Sequence, residues 1–308
     1  MDELNPGPAG GAGQKAKNRL FIHLRVHSAY SLLEGALPLS RIIAHAVGDG
    51  APAIAVTDTN NLFGALEFAQ KAVKEGLQPI VGCQLDVCTI PDPRQPGRSE
   101  RRGEGPDAQP LVLIAATQEG FANLVRLVSR TYLETAPGQP PHAQPGWLAE
   151  HAAGIICLTG GDRGPIAAAF RADNPELAAR RLDFLGGIFS DRLYVELHRQ
   201  SGYDRALEAA MIRLAYERDL PLVATNEAYF PGREDYEAHD ALLAIADGSV
   251  IASDKRRRLS PDHHLRRQAE MIALFADLPE AIDNTVEIAR RCSYFPRTRQ
   301  PLLPRFTT

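Results

Sequence analysis

The chain has 308 residues, 44% of them hydrophobic, and a net charge of −4. That is enough apolar material for one large or two ordinary cores, and the acidic balance excludes a surface globally attracted to nucleic acid while leaving room for a local basic patch. No run approaches the roughly 18 uninterrupted apolar residues of a membrane span, and Cys83, Cys88, Cys157 and Cys292 form no CxxC pair, which excludes a zinc ribbon and a disulfide framework.

Residues 1–18 are rich in Gly, Pro and Ala and lack the apolar centre of a signal peptide, so they read as a disordered tail on a cytoplasmic protein. Residues 21–26 have strand character, and alternation puts His23, Arg25 and His27 on one face. A helical period follows over 38–47, then a strand over 53–57 that ends in Asp58, a helix over 62–75 and a strand over 79–83. The stretch 91–110 reads as a surface insertion before a strand at 111–116 and a helix at 119–131, and 137–146 reads as a second insertion. Strands at 155–159, 193–198 and 222–226 then alternate with helices at 175–184 and 204–218. The remainder is mainly helical, with helices at 234–246 and 280–291, a basic run Lys255, Arg256, Arg257 and Arg258 between them, and a Pro-rich exit.

Alternating strands and helices predict an α/β fold with a parallel sheet and right-handed crossovers. Seven units are enough to close a barrel, although pattern alone leaves an open doubly wound sheet in play. His27, Asp58, Asn226 and Glu227 all fall at or just past the carboxyl ends of their strands, where such folds gather their sites, and this favours the barrel.

Arg25 and His27 resemble a chelating pair in which one histidine has been exchanged for a guanidinium that cannot lose its proton to bind a metal. Asp58 reads as a ligand, as a cap for the helix near Leu62, or as a partner for Arg25. The Gly160-Gly161 turn after a strand is a tight turn or a phosphate loop. His23 and His198 read as structural, His239 as a packing residue, and His263 and His264 as exposed loop residues.

The stretches HLRVHSAYSLLEG (23–35), AVTDTNNLFG (55–64), PIVGCQ (79–84), LVATNEAY (222–229), AHDALLAI (238–245) and LPEAIDNTVEIARRC (278–292) resemble the amino-terminal PHP (polymerase and histidinol phosphatase) domain of bacterial replicative DNA polymerase III alpha subunits. The resemblance implies a distorted seven-stranded, TIM-like (β/α) barrel over 19–290 with a helical carboxyl-terminal segment, and residues 291–308 as the start of a linker toward a polymerase palm absent from this chain. Metal-binding members hold up to three divalent ions through His-x-His, Asp-His, Gly-x-Glu, further histidines and a closing Asp-x-His. Here Arg25 stands for the first His, Thr59 follows Asp58, Gln84 replaces the Glu, Pro110 and Gln200 stand where histidines belong, and the closing motif is Glu227-Ala-Tyr229. The surviving candidates are His27, Glu34, Asp58 and Glu227.

So reduced a set predicts no metal cofactor and no catalytic residue, with Arg25 pairing Asp58 or Glu227 in place of the lost cation. The resemblance implies a domain of a DNA-directed DNA polymerase that has no activity of its own, stabilises the rest of the alpha subunit and docks the proofreading exonuclease subunit, with DNA bound through the full-length protein and no membrane partner. The alternatives are a metal-dependent phosphoesterase or 3′→5′ exonuclease with a reduced site, and a DNA-binding module using 255–258.

Overall fold

In a computed structural model, residues 19–88, 108–298 and 300 are described. The expected tail (1–18), most of the insertion at 91–110 and the end of the Pro-rich exit lie outside them. Six strands form one curled sheet in chain order: β1 (Ala53–Thr59), β2 (Gln78–Cys88), β3 (Ala108–Ala115), β4 (Ile155–Leu158), β5 (Leu193–Leu197) and β6 (Leu222–Ala224).

Ten helices are described: α1 (Leu39–Gly48), α2 (Ala65–Lys74), α3 (Gln118–Glu134), α4 (Pro145–His151), α5 (Pro165–Arg171), α6 (Pro175–Phe189), α7 (Arg205–Glu217), α8 (Tyr236–Ala246), α9 (Gln268–Leu274) and α10 (Pro279–Arg291). Their starts follow local chemistry. The Thr117 hydroxyl accepts from the Gly120 amide, Asn174 from Leu177 ahead of Pro175, and Asp204 from Ala206 and Leu207. The short helices α4, α5 and α9 have too few turns for a periodic pattern, and α4 overlaps the stretch read as an insertion.

The sheet is mixed, which corrects the all-parallel expectation. β1–β2, β4–β5 and β5–β6 are parallel, but β3 runs antiparallel to both of its neighbours. Between β3 and β4 the chain goes out along α3 and returns through α4, so Ala115 at the end of β3 sits opposite Ile155 at the start of β4. Two helices in place of one return the chain to the end it left, and an antiparallel partner follows. Pro110, near the start of β3, is thereby placed at the end of the sheet where the parallel strands finish.

Segment 21–27, of which 21–26 was expected as the first strand, is extended and buried but carries no continuous ladder. Its backbone lies between β1 and the residues after β6: Ala55 donates to His23 O (2.8 Å), Thr57 to Val26 O (2.9 Å), and His27 to Ala228 O (2.8 Å). Two residues of β1 thus face three of the segment, the signature of a bulge. One extra residue flips the alternation. Ile22 and Leu24 join the inner core with Ala53, Ala55, Ile80, Val112 and Ile114, whereas Val26 packs outward against Ile54, Val56 and Phe68. Arg25 therefore points inward beside Leu24, and His23 is not its face-mate: the His23 ring bonds Arg266 O at 2.7 Å.

Candidate functional site: a buried ion-pair network

The inner core fills one end of the curled sheet, and polar side chains fill the other. At their centre lies Arg25, with no exposed surface. Its guanidinium donates to Gln84 Oε1 on β2 (2.6 Å), to Glu196 Oε2 on β5 (3.2 Å) and to Glu227 Oε1 just past β6 (2.8 Å). Inward-facing positions two apart on each strand supply these partners, since Ile80, Gly82 and Gln84 share one face of β2 as Tyr194, Glu196 and His198 share one face at β5. Arg25 makes no hydrogen bond or ion pair with Asp58. That half of the expected pairing is replaced by Glu196, which carries no metal-motif signal in the sequence.

Glu196 is fully buried and also accepts from Thr225 Oγ1 (2.5 Å) and from the His198 ring (3.1 Å). Burial by itself raises a carboxyl pKa, but here Arg25 and His198 outweigh it and hold Glu196 down at about 2. Glu227 sits in the left-handed region, φ 52°, which an ordinary side chain adopts at a cost of about 1 kcal/mol or more. Its Oε1 accepts from Arg25, Arg163 and the Tyr229 hydroxyl, and although burial opposes ionisation, the Arg163 and Arg25 guanidiniums keep the carboxyl well below the usual range.

His198 was read as structural, and the structure makes it a member of the network, with Arg25 Nη1 3.1 Å from its Nε2. Its Nε2 faces Glu196 and its Nδ1 lies 3.2 Å from Asp162 Oδ1 and 3.7 Å from Glu227 Oε2. Burial opposes the imidazolium, yet Glu196 and Asp162 raise its pKa to about 9. Asp162 and Arg163 arrive on a turn that only glycine permits: Gly161 has φ 58°, and a Cβ there would fall 2.3 Å from His198 Cε1. The Gly160-Gly161 pair therefore serves close approach, and the residues directly after it were the signal that sequence reading passed over.

His27 belongs to a second group. It is buried, stacks on Tyr229 (4.2 Å, 3° between planes), and burial lowers its pKa to about 3, so it is neutral. Its Nδ1 lies 3.3 Å from both Ser31 Oγ and Thr59 Oγ1, and its Nε2 has no partner among the described residues. Thr59 in turn donates to Glu34 (2.6 Å), and Arg257 closes this group with an ion pair to Glu34 (2.6 Å). Asp58 accepts from the Ser28 amide (2.6 Å), Ser28 Oγ (2.8 Å) and Ser31 Oγ (2.7 Å), fastening the turn that follows the first segment. It is neither an arginine partner nor a helix cap.

The other sequence candidates are placed as follows. Gln200 donates to Asn226 O at 3.0 Å, outside the network, and Pro110 contributes only backbone, its carbonyl crowding Gly160. His239 bonds Glu34 O at 2.6 Å. His264 is buried and His263 half-buried, against the exposed loop expected, because Tyr229 and Phe230 pair with this stretch through the Tyr229 N to His263 O and Leu265 N to Phe230 O bonds. In the basic run, Arg256 is paired with Asp240, Arg257 with Glu34, and Arg258 donates to the carbonyls of Ile251 and Ser253.

Asp162, His198 and Glu227 offer three ligand atoms within 4.8 Å of one another. The donor set nevertheless does not fit a multinuclear centre, because Glu227 is already engaged by the Arg25 and Arg163 guanidiniums and Asp162 by Arg171 and the His198 ring. A dication about 5 Å from one guanidinium is repelled by roughly 6 kcal/mol even at an effective dielectric constant of 20.

The PHP family model matches residues 23–200, and the chain belongs to that family. Within it, the relatives are alpha subunits of DNA polymerase III. That of Caulobacter vibrioides is 44% identical over 295 residues, covering 95% of this chain and 25% of the relative, and that of Escherichia coli K12 is 36% identical over 292 residues, covering 94% and 24%. The chain thus matches the PHP region of these subunits and spans about a quarter of their length. Among solved structures, an amidohydrolase from Chromobacterium violaceum aligns over 72% of this chain and 96% of its own at 16% identity, with a TM-score of 0.41.

Among the described residues no helix is long and apolar enough to cross a membrane.

Proposed function

We propose that this chain is the PHP region of a replicative polymerase alpha subunit and acts there as a non-catalytic scaffold, stabilising the polymerase and docking its proofreading exonuclease subunit. The observation that carries the reading is Arg25: a guanidinium with no exposed surface lies among Gln84, Glu196 and Glu227, where a metal-dependent relative needs ligands. Four of the family's ligand positions, Arg25, Thr59, Gln84 and Tyr229, now donate or accept hydrogen bonds within the protein. In this reading segment 21–27 is the seventh, bulged strand that closes a barrel, and the ion pairs make that barrel rigid. Zinc and manganese content of the purified alpha subunit after dialysis without chelator, together with titration by its exonuclease subunit without DNA, tests the proposal. The expected result is substoichiometric metal and saturable binding; a bound equivalent of metal with phosphoesterase activity would replace the scaffold with the enzyme reading.

A further inference from the structure

We infer that the groove between α1 and α8 is the docking site for an acidic peptide segment of a partner protein, which in the scaffold reading is the exonuclease subunit. The inference rests on that reading and adds the surface and the chemistry of the contact. The groove has a volume of about 790 Å³, a size usual for ligand sites, and none of its lining residues belongs to the ion-pair network. Helix α1 turns Leu39, Ile42, Ile43 and Ala46 into the core. That leaves Pro38, Arg41 and His45 to form one wall, while Glu234, Ala238 and His239 form the other.

Two features of the walls select the ligand. The first is a cationic end. Helix α1 starts at Pro38, which offers no side-chain cap, and its first turn carries no acid, so the positive pole of the helix is uncompensated. Arg41 in that turn and Arg267, which also lines the groove, are both exposed, and neither guanidinium forms an ion pair or hydrogen bond among the described residues. The second is an orphaned acceptor. His239 is 1% exposed, and its Nε2 donates to Glu34 O at 2.6 Å, which leaves Nδ1 a bare lone pair with no partner among the described residues. An inorganic anion satisfies the cationic end but brings no donor for His239, whereas a peptide brings both a carboxylate and backbone N–H groups. Nucleic acid fits worse, because Glu234 and Asp235 on the α8 side repel a run of phosphates that a single acidic side chain does not present. Leu242 and Pro231 supply apolar surface between these polar groups.

Titration of the alpha subunit with its fluorescently labelled exonuclease subunit, without DNA and at low and high salt, tests this. The proteins are wild type, Arg41→Glu/Arg267→Glu, Ala238→Trp, which fills the groove without changing charge, and the control Arg290→Glu on the exposed face of α10, each checked for folding by its thermal transition. Arg41→Gln/Arg267→Gln replaces the charge reversal if the latter unfolds. The expected outcome is a Kd raised at least about 100-fold by Arg41→Glu/Arg267→Glu and at least about 10-fold by Ala238→Trp, unchanged in Arg290→Glu, with wild-type binding weakened by salt. Short overlapping peptides of the exonuclease subunit then locate the segment: those retained by wild type and released by the double variant should be acidic. Exonuclease binding that yields to neither groove variant or to only one of them, or the lack of any acidic peptide retained by wild type and released by the double variant, overturns the proposal and leaves the scaffold reading standing. No saturable binding of the exonuclease subunit by wild type overturns both.

Discussion

Replacing Arg25 by methionine keeps most of the side-chain volume and removes the charge, leaving the Glu196 and Glu227 carboxylates without their shared cation. Their side chains are 0% and 2% exposed, so water cannot substitute. Breaking a buried pair from one side costs about 3 to 5 kcal/mol. Glu227 retains Arg163 and Tyr229, and Glu196 retains His198 and Thr225, so the lower half of that range, about 3 kcal/mol, is expected at pH 7. The loss should also depend on pH. In the wild type, Glu196 is depressed to about 2, so its stabilisation is present above the unfolded carboxyl pKa near 4.5 and disappears as pH falls toward 2. Without Arg25, burial dominates and the same carboxyl moves upward, so protonation relieves the variant first. Urea unfolding at pH 7 and pH 5 should therefore show a deficit that narrows toward pH 5, and adding Glu196→Gln should recover part of it. A deficit below about 1 kcal/mol at pH 7, or one that widens on acidification, refutes the argument that Arg25 is the cation holding this site together.

His198, raised to about 9, should contribute stability that is complete below its unfolded pKa near 6.5 and lost as pH rises through 9. Because Asp162 is half-exposed and screened, the contribution is about 2 kcal/mol; unfolding curves at pH 6.5 and 9.5 measure it, and in His198→Gln the difference should vanish. Asp58→Ala strands the Ser28 amide and two hydroxyls, and should cost about 2 to 4 kcal/mol in the same assay, while proteolysis within 28–34 accelerates. Since the Arg256 and Arg257 charges are matched by Asp240 and Glu34, neutralising either should leave the salt dependence of DNA binding by the full subunit unchanged; a slope reduced by about one per arginine would restore the basic-patch reading.

The sequence by itself determined the α/β class and six of the strand positions to within a few residues, because these are local: β-rich runs between helical periods. It also singled out Arg25 as a cation beside His27, since a guanidinium differs from an imidazole in chemistry that needs no coordinates. Tertiary structure alone decided what that cation meets. Whether 23, 25 and 27 share a face depends on one extra residue opposite β1, and a bulge is a property of two paired segments, invisible in either. The reversal of β3 likewise depends on α3 and α4 packing as a return pair. Glu196, His198, Asp162 and Arg163 carried no signal as a group because they come from one strand and a distant turn, and their shifted pKa values arise only when folding removes water and sets these groups at hydrogen-bond distance from Arg25 and Glu227.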